Sequence, residues 1–356
     1  MFGGPRSILS TVPPVRMAPC TLHPSATNPP FAAFETTMNK TLTLTVTGLL
    51  AALALLPATA GAKTNVRVGI GDQQVSMFDS KLFQARKFKI VRYFVPWNLM
   101  QNKDQVALAT AYVERARRDH IQVLLHLSSD NLEIKKAKLP SVAQYRTQIK
   151  RIVATFRPLG VRDFGAWNEV NHASQPTYKS PTRAAQFFVE AYRAIKPRCS
   201  FCNVVALDVL DQAGVERYMR SFYRALSPTY RRRARLVGIH NYGDVNRQRT
   251  TFTRSIISQA HTFNKTSRFW FTETGGLVKF GGSFPCSEIR ARNRLKNMFS
   301  LARTYHPSGV DRLYVYNWTA PPNECEARFD AGLVHFDGTP RPAYTYLTAA
   351  LPNFLR

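Results

Sequence analysis

From residue 63 onward the chain keeps one beat: a short, β-rich apolar run, a polar loop, then an amphipathic stretch. The apolar runs are Val66–Ile70, Ile90–Val95, Val123–Leu127, Asp163–Trp167, Val204–Leu207, Leu236–His240, Phe269–Thr272 and Leu313–Tyr316. Most are apolar throughout rather than alternating, as parallel strands covered on both faces are. Between them, Asp104–Asp119 places Val106, Ala109, Val113 and Ala116 on one helical face. Val142–Phe156 spaces Tyr145, Ile149, Ile152 and Phe156 in the same way, and Pro181–Ile195, Gly214–Leu226, Phe252–Phe263 and Glu288–Tyr305 continue the series. Strands alternating with helices imply a parallel sheet with right-handed crossovers. Eight such units predict the α/β class and a closed (β/α)8 TIM barrel, as a single domain over residues 63–356. An open doubly wound sheet is the competing arrangement. Its Gly-rich turn would follow the first strand, and Val68-Gly69-Ile70-Gly71-Asp72 lacks the third glycine of that turn.

The first 62 residues break this beat. Met38 precedes a polar stretch with Lys40, an apolar run from Leu42 to Leu56, Pro57, and small residues that fit an A-x-A cleavage site twice, at Ala58–Ala60 and Ala60–Ala62. This predicts a secretory signal peptide over 38–62, its apolar part too short for a comfortable span, with an N-terminal anchor helix as the alternative. Residues 1–37, rich in Pro, Thr and Ala, are then expected to be an over-extended, disordered start, with Met38 the initiator. The expected location is secreted or in the cell envelope.

Secretion changes the reading of the cysteines. Without Cys20 four remain, Cys199, Cys202, Cys286 and Cys325, an even number for an oxidising compartment. Cys199-Ser200-Phe201-Cys202 also fits a redox C-x-x-C or half a zinc site, but no second C-x-x-C and no nearby His accompanies it. Two disulfides are expected, 199–202 and 286–325, the second joining the loops after strands seven and eight.

Composition adds one strong feature. The chain has 49 Lys+Arg against 22 Asp+Glu, a formal net charge of +27. Residues 1–62 hold only Arg6, Arg16 and Lys40 against Glu35, so +25 belongs to the barrel. Such a charge draws anionic partners without choosing among them. We expect it on the outer helices and the far end, including Arg117-Arg118 and Arg231–Arg233, where it would hold the protein near an anionic cell-wall polymer. Solubility alone is the plainer reading.

Barrel chemistry sits at the C-terminal ends of strands. Those ends carry Trp97-Asn98 after strand two, His126 in strand three and Asn168-Glu169-Val170-Asn171-His172 after strand four. His240-Asn241-Tyr242 follows strand six, Glu273 strand seven and Asn317-Trp318 strand eight. Glu169 and Glu273 each end an apolar strand, where a carboxylate is costly unless paired or functional. Strands four and seven face each other across an eight-stranded ring. Two carboxyls across a cleft are the apparatus of glycosidic bond hydrolysis. A structural ion pair is the plain alternative for either one. The three histidines at strand ends lack compact metal-ligand spacing, and no metal or cofactor is expected. Trp270, inside strand seven, reads as core.

Taken in order, W-N-E on strand four, H-x-Y on six, T-E on seven and Trp on eight resemble the clan-A retaining glycoside hydrolases, the TIM-barrel superfamily of cellulases, mannanases and xylosidases. The resemblance spans residues 66–350. It implies Glu169 as acid/base, its pKa raised by burial and by the neighbouring carboxylate, and Glu273 as nucleophile, kept ionised by donors such as Arg92 and Tyr242. It implies Asn168 on the sugar 2-hydroxyl, His126, His172 and His240 orienting carboxylates or binding hydroxyls, and Trp318 flooring the sugar subsite. Trp97 joins the expected substrate contacts from the mouth. The implied protein is a monomer that cleaves a β-linked poly- or oligosaccharide and binds no nucleic acid. Two alternatives stand beside it: an inactive barrel that only binds glycans in the envelope, and a binder of anionic polymer.

Overall fold

The computed structural model describes residues 63–131 and 136–355. The expected signal peptide and start region lie outside the described residues. Eight parallel strands form the main sheet: β1 (Thr64–Gly71), β2 (Ile90–Pro96), β3 (Gln122–Ser128), β4 (Asp163–Gly165), β5, β6 (Leu236–His240), β7 (Arg268–Thr274) and β8 (Val310–Tyr316). β5 is interrupted at Ala206 into Asn203–Val205 and Leu207–Leu210. Its first piece pairs with β4 and its second with β6, while β1 pairs with both β2 and β8, so the ring closes through β5. The outer layer includes α1 (Lys103–Arg118), α2 (Val142–Phe156), α3 (Pro181–Ile195), α4 (Val215–Arg224), α5 (Thr251–Phe263), α6 (Glu288–Tyr305) and α7 (Pro342–Ala350). The protein is a (β/α)8 TIM barrel. α2 begins with a capping box between Ser141 and Gln144, which satisfies two backbone donors that the helix start leaves open. No described helix is long and apolar enough to cross a membrane.

The period of two along each strand builds the interior in layers. A floor of Ile90, Leu124, Val205, Leu236, Trp270 and Tyr314 fills the far end. Two residues further along the strands the layer turns polar: Arg92, His126 and Thr272 follow Ile90, Leu124 and Trp270, and all three are buried. β7 departs from strict alternation. Its register against β8 shifts between Phe271 and Thr274, and against β6 between Trp270 and Glu273. Such a bulge re-aims a side chain, and here both Thr272 and Glu273 address the interior.

Gly238 makes room for this polar layer. A Cβ there would lie 1.8 Å from Asp208 Oδ1 and 2.7 Å from Thr272 Oγ1. Gly238→Ala should therefore destabilise the barrel by about 1–3 kcal/mol through overpacking. Urea unfolding would show it, and an unchanged midpoint would mean that Asp208 is not held where we find it.

The loops after β7 and β8 join into a wall. Lys279–Phe280 pairs antiparallel with Phe329–Asp330. Disulfides link Cys286 with Cys325 and Cys199 with Cys202, each with Cα atoms 5.3 Å apart. Buried Arg341 draws the wall together through Asp330 (2.8 Å), Glu324 (3.1 Å) and Glu288 (3.2 Å).

Candidate active site

Glu169 follows β4 and Glu273 lies in β7, with side chains 18% and 12% exposed. Glu169, His240 and Glu273 each offer one ligand-capable atom within 4.8 Å of the others. Glu273 is gripped from two sides. Arg92 Nη1 donates to Oε2 at 2.8 Å, and the Tyr242 hydroxyl donates to Oε1 at 3.2 Å. Arg92 also donates to Asn168 Oδ1 and, at 3.4 Å, to His126 Nδ1. Burial works against the Arg92 cation, but Glu273 and Asp208 raise its pKa further. Burial and the Glu273 carboxylate push the Tyr242 phenol well up, so it remains a donor.

Glu169 has a backbone φ of +45°, a left-handed conformation that a non-glycine residue adopts only where its surroundings hold it. Asp208 supplies that hold: its Oδ2 accepts from the Glu169 N–H at 3.3 Å, and its carbonyl accepts from the Val170 N–H at 3.0 Å. Asp208 is fully buried, lies 2.9 Å from His240 Nε2 and accepts from the Thr272 hydroxyl. His240 Nδ1 meets Glu169 Oε1 at 3.0 Å. His240 thus sits between the buried Asp208 carboxylate and Glu169 at the mouth.

The two interior histidines diverge. Burial opposes the His240 cation, but Asp208, Glu273 and Glu169 outweigh it and raise its pKa to about 10. Burial holds His126 down to about 3, with Asp208 opposing and Arg92 adding to the depression. Asp208 is lowered: burial raises it, yet the histidines and Arg92 prevail. Glu169 corrects the sequence reading. Burial does favour its neutral form, but the His240 contact and the His240 and His172 charges pull its pKa below the usual value.

A pH prediction follows for stability. The His240 pKa lies above its unfolded value of about 6.5, so its contribution is full below that pH and is lost as pH rises through about 10. Melting temperatures across this window should fall more steeply for the native chain than for His240→Gln. Equal slopes would mean that His240 is not held charged between Asp208 and Glu169.

A cavity of about 690 Å³ opens over the carboxylates. Of the residues read from sequence, Asn168, Glu169, His172, Tyr242 and Glu273 line it. His172 Nδ1 lies 2.7 Å from Ser174 Oγ and 3.8 Å from Glu169 Oε2. Arg92, His126 and His240 are fully buried and do not line the cavity; Arg92 and His240 touch the carboxylates, whereas His126 meets Arg92 and Asp208. Trp318 and Trp97 are corrections. Trp318 is 1% exposed and packs edge-on against Phe83 and Tyr344, because Asp72 Oδ2 accepts from the Trp318 and Thr319 N–H groups and turns the chain inward. Trp97 is 6% exposed within the main hydrophobic core. Tyr316 faces the cavity from β8 instead, with Phe280, Phe284 and Phe329 from the wall. The sequence reading missed these four and Asp208.

Among the described residues, two groups offer metal-type ligands. In the Glu169–His240–Glu273 group, Arg92 already pairs with Glu273 and His240 with both Asp208 and Glu169. In the Glu288–Glu324–His335 group, the Arg341 guanidinium supplies the positive charge between the two glutamates.

No family model and no curated protein sequence matches the chain. Solved structures do. A glucosidase from Croceicoccus marinus superposes with a TM-score of 0.60 at 13% identity, over 81% of this chain and 65% of that one. A GH39 β-xylosidase from Caulobacter crescentus gives 0.58 at 16% identity, over 81% and 71%. Fungal β-1,4-galactanases give 0.57 at 12% identity, over 80% and 99%. The barrel therefore shares its fold with these structures. At these identities the likeness establishes the fold alone.

Proposed function

We propose that the protein is a secreted retaining glycoside hydrolase acting on a β-linked poly- or oligosaccharide, with Glu273 as nucleophile and Glu169 as acid/base. One observation carries this reading: the two glutamates present oxygens within 4.8 Å of each other at the cavity floor. Retaining enzymes hold their carboxyls about 5–5.5 Å apart, whereas inverting ones leave about 6.5–9.5 Å for a water.

Arg92 and Tyr242 fix the Glu273 carboxylate, so one of its oxygens attacks the anomeric carbon as the glycosidic C–O bond breaks. The leaving oxygen takes a proton from Glu169. His240 Nδ1, 3.0 Å from Glu169 Oε1, is placed to exchange that proton with Glu169 as negative charge builds on the leaving group. In the second step Glu169 removes a proton from water, which displaces Glu273 from the same face the leaving group vacated. Asn168, tied to Arg92, borders the cavity where a 2-hydroxyl would sit.

Proton NMR of aryl β-glycoside hydrolysis, run across a panel of sugars, tests this. The first-formed hemiacetal should be the β anomer. A first-formed α anomer would establish inversion and remove Glu273 as nucleophile, and no cleavage of any glycoside or glycan would leave the inactive glycan-binding barrel.

A further inference from the structure

Resting on the glycosidase reading, we propose that the substrate is an anionic glycan whose acidic substituents lie along a basic track running from Arg247 in the cavity wall, over Phe284, to Arg290 and Arg294 on α6. The excess positive charge thus reaches the mouth, not only the outer helices and the far end.

Arg247 and Arg249 both line the cavity, but they differ in company. Arg249 is neutralised by Asp244 at 3.1 Å. Arg247 has no carboxylate partner among the described residues and lies over the Phe284 ring at 5.0 Å. Arg290 reaches the same ring from the other side of the wall at 5.5 Å. Phe284 lines the cavity, and Arg290, in contact with it, lines a second, open groove of about 810 Å³ along α6 together with Arg294, Lys296 and neutral residues, with no acid. Arg290 Nη2 donates to the backbone carbonyls of Leu277, Val278 and Pro285 rather than to a carboxylate, so its charge is not cancelled. Burial and then the neighbouring Arg294 cation lower its pKa. Arg294 pairs with no carboxylate among the described residues, and its Nε is buried without a partner.

An uncompensated basic run is unfavourable alone and favourable beneath a repeated anion. Its continuity with a cavity walled by Phe280, Phe329 and Tyr316 selects a chain with apolar ring faces as well as charge, which is an acidic polysaccharide. The anion class is carboxylate or sulfate borne on sugar rings.

The test is binding of a β-linked tetrasaccharide carrying uronate carboxylates, its carboxyl-reduced neutral counterpart, and a sulfated form of that counterpart. At low ionic strength the acidic forms should bind about ten-fold or more tightly than the neutral one, and the difference should collapse at high salt. Arg294→Ala should remove much of this preference and leave neutral binding nearly unchanged, and Arg247→Ala should weaken acidic binding far more than neutral binding. Arg117→Ala/Arg118→Ala, at the far end of α1, should leave the preference intact. Equal binding of acidic and neutral forms overturns the proposal. So does a preference lost equally in the far-end variant, or an equally good fit of inorganic polyphosphate, which would mean bulk charge only. An acidic preference without cleavage would instead overturn the hydrolase reading, and cleavage confined to neutral glycans would overturn this inference alone.

Discussion

Glu273→Gln should lower turnover of any cleaved glycoside by roughly 10⁴–10⁶-fold, because it removes the atom that forms the intermediate. That is about 5–8 kcal/mol of transition-state stabilisation. The amide keeps the volume of the carboxylate, and Arg92 retains Asn168 as a partner, so the melting temperature should shift far less than activity does. Glu273→Ala opens space beside the sugar. With azide present it should yield a glycosyl azide of inverted configuration, since azide would attack the face that Glu273 had occupied. Loss of fold in both variants would be read from circular dichroism, and a folded Gln variant with native rates would end the assignment.

Glu169→Ala should divide substrates by leaving group. Glycosides of poor leaving groups need the proton and should lose about 10²–10⁴-fold. Dinitrophenyl glycosides need little help to depart, so their first step should be nearly unaffected while breakdown of the intermediate stalls. Azide should then accelerate turnover and give a product of retained configuration, opposite to the Glu273→Ala product. Equal losses for good and poor leaving groups would mean that Glu169 acts by position rather than by proton transfer. Because His240 Nδ1 lies 3.0 Å from Glu169 Oε1, His240→Gln should move the pH optimum and not only the rate.

The barrel was legible because apolar runs and helical faces repeat without interruption, and α2, α3 and α6 fall where the periodicity places them. The carboxylate pair was legible because Glu169 and Glu273 end apolar strands. What lay beyond reach were effects of register and of chain reversal. The bulge in β7 and the break at Ala206 move Glu273 and Asp208 relative to strict alternation, which no local pattern announces. Trp318 reads as a mouth residue until Asp72 draws the chain back into the core. The direction of the Glu169 shift needed the distance to His240, since burial alone argues the opposite sign.

The central claim is that Glu273 becomes covalently bonded to the sugar during turnover. Incubation with 2-deoxy-2-fluoro β-glycosides of several sugars carrying a good leaving group, followed by intact mass and peptide mapping, tests it directly. The account predicts one fluorosugar adduct per chain, on the peptide containing Glu273, absent from Glu273→Gln. An adduct on any other residue, or turnover of the fluorosugars with no adduct formed, would contradict it.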